Sequence, residues 1–223
     1  MSTRRSLRPA GFTLIELLVV VAIMVVLCSF IAPALTTIQD SNNLAAAGQT
    51  VADEISVARQ YAASRDQTVQ VRFIIPSTSR YNGYSIVQLW KITTSGTTAL
   101  DKLYRLPPNV EVSANSTISP LVAVGSGGLS GGTATTMPTG SLAGKYVAFT
   151  IRPDGNVIVA SPPSNGTAAN QAYPNGAFYS QPYYFLTVLP VRDSAEDTAN
   201  TLPKNYVTIQ VNPDTARTQI FRP

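Results

Sequence analysis

The chain has 223 residues, 44% of them apolar, with 16 basic and 12 acidic side chains and a formal charge of +4. That is room for one ordinary domain plus an appendage, with enough apolar material for a core, so a disordered tail and a small disulfide scaffold are excluded. There is no histidine, and Cys28 is the one cysteine, which removes imidazole acid-base work, Ser-His-Asp and Cys-His nucleophiles, histidine-ligated zinc and an intramolecular disulfide.

Arg4, Arg5 and Arg8 all lie in the first eleven residues, and without them thirteen basic side chains face twelve acidic ones. The basic excess belongs to a short leader, and no nucleic-acid partner is expected for the remainder. Residues 17–32 follow as an apolar run in which Ser29 is the only polar side chain. As a helix this run is roughly 24 Å long and the stretch Phe12–Leu35 roughly 36 Å, against a hydrocarbon core of about 30 Å. The segment is long enough to span a membrane. Arginines before it, with no comparable cluster just after, place the N-terminus in the cytoplasm and the rest outside. Three kinds of processing fit such a start. A secretory signal would be cut after Ala32-Pro33-Ala34; a lipoprotein signal needs a small residue where Leu27 precedes Cys28; a third kind keeps the apolar run.

Glu16 discriminates among them, because a carboxylate within an apolar run costs on the order of 2.5–3.5 kcal/mol on insertion scales. Something must need it there. The hexamer Gly11-Phe12-Thr13-Leu14-Ile15-Glu16, with its basic leader and apolar continuation, resembles the class III signal of type IV pilins and type II secretion pseudopilins. The resemblance implies that a membrane prepilin peptidase cuts between Gly11 and Phe12 and methylates the new amine of Phe12. Gly11 has no Cβ and so suits an extended entry into a narrow cleft. It further implies that Glu16 pairs with the Phe12 amine of a neighbouring subunit and sets the stagger, since leaving either charge alone in a dry bundle costs roughly 3–5 kcal/mol. Pro33, 21 positions after Phe12, stands where pilin-like helices often carry a proline and is expected to kink the helix. A plain anchor with Glu16 at the interface is the competing reading, and a proline after an apolar run is also an ordinary stop signal.

Beyond Pro33, Asp40-Ser41-Asn42-Asn43 is a weak helix former that favours N-caps, so a kink or short break is expected there. Leu44, Gly48, Val51, Ile55, Ala58 and Ala62 then step by 4, 3, 4, 3 and 4, one face of an amphipathic helix whose small side chains suit close packing on a sheet. Near Asp66 the period changes to 2. Val69, Val71, Phe73 and Ile75 alternate with Gln70, Arg72 and Ile74, a strand with one buried face, and Asn82-Gly83 supplies a hairpin turn into Ser85–Ile92. Further strands are expected at Lys102–Leu106, Val110–Val112, Tyr146–Ile151, Val157–Ala160, Tyr183–Val191, Tyr206–Val211 and Arg217–Phe221. Long Gly/Ser/Thr/Pro-rich connections are expected over Ser113–Gly144, Ser161–Gln181 and Arg192–Lys204.

The fold class is therefore α+β, one long N-terminal helix packed on about six to nine antiparallel strands. The domain reading is a cleaved leader at 1–11, a helix at 12–66 with its transmembrane half at 12–35, and a β-rich domain at 67–223. Leu106-Pro107-Pro108-Asn109-Val110-Glu111-Val112, Phe149-Thr150-Ile151-Arg152-Pro153-Asp154-Gly155 and Val211-Asn212-Pro213-Asp214-Thr215-Ala216-Arg217 resemble the minor pseudopilin (GspH-type) branch. The ending Arg217–Pro223 and the Thr/Gly-rich loops resemble the Verru/Chthon cassette protein D group. Each cue also reads as an ordinary β-turn sequence.

Other constellations point to no chemistry. Asp193, Glu196 and Asp197 read as a solvated loop, and Asp154 and Asp214 lack the run of alternating carboxylates that calcium needs. Gly125–Gly132 lacks the Lys-Ser/Thr of a phosphate loop. Asn115-Ser116-Thr117 and Asn165-Gly166-Thr167 are formal glycosylation sequons, and Tyr183, Tyr184 and Phe185 read as a ledge or a buried strand face. The expectation is a structural subunit, not an enzyme, with no metal and no cofactor. Its expected partners are the prepilin peptidase, other pilin or pseudopilin subunits, an assembly platform and the bacterial inner membrane, with the C-terminal domain periplasmic. The alternative is an exported binding protein anchored by an uncut helix.

Overall fold

The computed structural model describes residues 12–77, 83–94, 96–122, 135–136, 144–159, 184–191 and 202–223, with 30–37 and 135–136 described by backbone alone. The chain divides into two compact units, Met1–Gln39 and Asp40–Pro223. Helix α1, Leu14–Arg65, runs from the first unit into the second.

Between Leu14 and Leu27 α1 carries apolar side chains on every side, and all the large ones are exposed, from Leu14 at 83% to Val20 at 47%. No face is reserved for packing. Asp40-Ser41-Asn42-Asn43, where a break was expected, lies inside α1, so no N-cap restart forms. In a helix interior Asp, Ser and Asn each cost only about 0.5–0.7 kcal/mol relative to alanine, and the burial of Leu44 and Ala47 one turn later outweighs this.

The second unit is built around the C-terminal part of α1. The expected stripe holds: Leu44, Gly48, Val51, Ile55, Ala58 and Ala62 are buried, and Ala47 and Ala52 widen it. The helix ends on Asp66, which takes φ 50, while the Gln67 N–H donates to the Ala62 carbonyl at 3.2 Å. This six-to-one bond across a left-handed residue is a Schellman stop. Strand β1, Val69–Pro76, begins three residues later.

Among the described residues there are eleven strands, more than the count expected from periodicity: β2 Ile86–Thr93, β3 Gly96–Ala99, β4 Tyr104–Arg105, β5 Val110–Val112, β6 Thr135–Thr136, β7 Gly144–Ile151, β8 Val157–Ile158, β9 Phe185–Pro190, β10 Val207–Val211 and β11 Thr218–Phe221. One sheet has the order β3-β2-β1-β7-β6, with β4 also on β2 and β8 also on β7; the other has the order β11-β10-β9-β5. Every pairing is antiparallel. The additions are β3 and β6, four and two residues of Gly, Thr and Ala that carry no apolar alternation.

Two local expectations are corrected. The last β1–β2 pair is Ile74 with Ile86, so Asn82-Gly83 is part of a longer connection and not a two-residue hairpin turn; Asn82 lies outside the described residues. Gly83 instead sits against Glu111, donating its N–H to Oε2 at 3.1 Å, and a Cβ there would lie 2.4 Å from Glu111 Cδ. Second, β1 is buried on both faces. Val69, Val71 and Phe73 join the main core, while Ile74, Ile86 and Trp90 form a second cluster packed by Leu103 and Tyr146. Arg72 is 2% exposed in this second layer. Its Cζ lies 4.0 Å from the Trp90 ring centroid and 4.2 Å from that of Tyr146, Nε donates to Gln70 Oε1 at 2.7 Å, and Nη2 donates to Thr97 Oγ1 at 3.0 Å. An arginine alternating with valines reads as solvent-facing until two aromatic rings cover it.

The main core joins the stripe of α1 to β1, β2 and β7 of the first sheet and β5, β9 and β10 of the second. Residues 113–122, expected to begin a long loop, are pinned to β9. Ser113 N–H donates to the Thr187 carbonyl at 2.9 Å, Leu121 N–H to the Phe185 carbonyl at 3.0 Å, and the Thr187 hydroxyl to the Ile118 carbonyl. Two turns quoted above meet where the sheets join: Gly155, at φ 90, closes β7 onto β8, and the Val157 N–H donates to the Pro213 carbonyl at 2.7 Å.

Two substitutions test this packing by chemical unfolding of the full chain in detergent. Asp66→Gly removes the left-handed penalty and is expected to stabilise by about 1 kcal/mol. Gly48→Val is expected to destabilise by about 1–3 kcal/mol, because a Cβ there would meet Val207 Cγ1 at 2.7 Å.

Candidate functional site

The candidate site is the start of α1. Phe12 and Thr13 precede the helix, and the Leu17 N–H to Thr13 carbonyl bond at 3.2 Å opens it. Thr13 is the N-cap. Its hydroxyl oxygen accepts from the Glu16 N–H at 3.3 Å, and Glu16 Oε2 accepts from the Thr13 N–H at 2.8 Å and from the Thr13 hydroxyl at 2.7 Å. This reciprocal arrangement is a capping box, which satisfies donors that a helix start otherwise leaves open.

The structure thus gives Glu16 a use within its own chain. A carboxylate at the third helical position accepts from the cap and meets the positive end of the helix dipole. Sequence reasoning identified Glu16 from its cost in an apolar run and missed Thr13, although Thr-x-x-Glu before an apolar stretch is a recognisable signal. Phe12 and Glu16 stand within one turn of each other. Gly11, the other residue of the expected cut, lies outside the described residues. Pro33 lies within α1, whose backbone stays helical through it. Among the described residues no helix is long and apolar enough to cross a membrane; the stretch of α1 before residue 30, whose side chains are described, is about 24 Å long.

A second feature that sequence reasoning missed is Glu54, which lies off the apolar stripe yet is 5% exposed, with Oε2 buried and without a hydrogen-bond partner. It is charge-coupled to Asp101, Lys102 and Tyr104 of the 100–105 segment and to Asp53 of its own helix.

The remaining described candidates sit in local turns and strands. Asp154 accepts from the Asn156 N–H and Nδ2, both at 3.0 Å, bonds that hold its carboxyl below the usual range and close its own turn. Asn212 Oδ1 accepts from the Asp214 and Thr215 N–H groups at 2.9 and 3.0 Å, closing the β10–β11 hairpin. Among the described residues no group of three or more His, Cys, Asp or Glu is placed to hold a metal. Phe185 is buried and Tyr184 packs against the core. The Asn115 side chain accepts from the Thr117 N–H at 2.9 Å in a local turn. Tyr183, Asp193, Glu196, Asp197, Gly125–Gly132 and Asn165-Gly166-Thr167 lie outside the described residues.

Residues 7–32 match the family described as the prokaryotic N-terminal methylation motif. The matched segment contains Gly11, Phe12, Glu16 and the apolar run as far as Ala32, so the capping box lies inside it. No curated protein matches the chain. Among solved structures, the minor pseudopilin EpsH from the type 2 secretion system of Vibrio cholerae is similar at TM-score 0.44 and 9% identity, over 81% of this chain and 98% of that one.

The capping box has a direct test. Thr13→Ala is expected to destabilise the first turn by about 1 kcal/mol, read as faster amide exchange at residues 14–17 of the detergent-solubilised chain. Thr13→Ser, which keeps the hydroxyl, is expected to leave that exchange unchanged.

Proposed function

We propose that the chain is a prepilin-like structural subunit of a type II secretion pseudopilus or type IV pilus-like filament. The observation that carries this reading is the methylation motif over residues 7–32, with Gly11, Phe12 and Glu16 in its expected order. In this reading a prepilin peptidase hydrolyses the Gly11–Phe12 bond on the cytoplasmic side and methylates the amine of Phe12. The leader 1–11 is lost. The segment 12–35 stays in the inner membrane, the helix continues to residue 66, and the domain 67–223 lies in the periplasm.

The all-round exposure of apolar side chains in the first unit supports this reading, because such a surface needs lipid or neighbouring helices to cover it. Assembly then follows from contact area between helices, and charge chooses among the staggers. The methylated amine of one Phe12 meets the Glu16 carboxylate of the next subunit, replacing the two Thr13 donors that hold that carboxylate in the isolated chain. The exchange keeps the carboxylate hydrogen-bonded at each stage, the condition for burying it at tolerable cost. A minor, low-copy position in the filament is the finer form of this reading.

Mass spectrometry of the mature protein tests processing: a chain starting at Phe12 with one added methyl group is expected. A retained leader would instead identify an anchored export protein. Glu16→Ala is expected to leave the mature N-terminus unchanged and to abolish incorporation into filaments, scored by shearing and immunoblotting. Normal incorporation of that variant would remove Glu16 from assembly.

A further inference from the structure

We draw no further inference here: the strongest candidate, the cluster that Arg72 forms with Trp90 and Tyr146 in the second layer of the first sheet, is sealed from solvent, and nothing in the structure shows what its one unpartnered donor, Nη1, would meet.

Discussion

The second unit depends on how closely a helix can approach two sheets at once. A single stripe of α1 serves the inner faces of both, and it is made largely of alanine with Gly48 at the contact with Val207. Larger side chains on that stripe would push the sheets apart and leave voids on either side, which a close-packed interior does not tolerate. The bulk is supplied from the strands instead, by Phe73, Phe149, Leu89 and Leu186. Phe73 anchors it further, with Tyr84 in an edge-on contact at 6.4 Å and Phe149 tilted at 6.1 Å between ring centroids.

The two parts of α1 follow opposite rules. Between residues 44 and 62 the helix spends most of its apolar side chains on one face and leaves Gln49, Asp53 and Gln60 to water. Between residues 12 and 27 its apolar side chains point in every direction. The first pattern belongs to a helix with a sheet beside it, and the second to one whose surroundings are apolar throughout. One continuous element thus carries two surface patterns, and Glu16 is the single carboxylate between residues 12 and 27. Its engagement by Thr13 shows how such a charge is kept hydrogen-bonded within its own chain.

Much of this was legible in the residues, and the exceptions share a cause. Periodicity and short apolar runs located the stripe of α1 and the strands β1, β2, β4, β5, β7, β8, β9, β10 and β11. They missed β3 and β6, whose Gly, Thr and Ala residues carry no such pattern and pair only through the backbone. Arg72 alternates with valines and so reads as solvent-facing, yet it is buried because two aromatic rings are laid over it; Glu54, buried on α1, drew no notice in the sequence at all. The continuity of α1 through Asp40–Asn43 shows the same asymmetry, since local preference is weak and burial one turn away is strong. At the candidate site the carboxylate was found by its cost, whereas the threonine that answers it is a polar residue at an unremarkable place. Only the spacing of the two, three residues apart, carried the information.

The stop at Asp66 leads into β1 after only Gln67 and Thr68, and β1 is bonded along its length by β2 on one side and β7 on the other. Tension drawn along the helix therefore enters the domain at an interior strand and not at an edge strand that could peel away one bond at a time. Two ladders must yield together before the domain gives. The covalent route from helix to sheet is built as a tether that bears load.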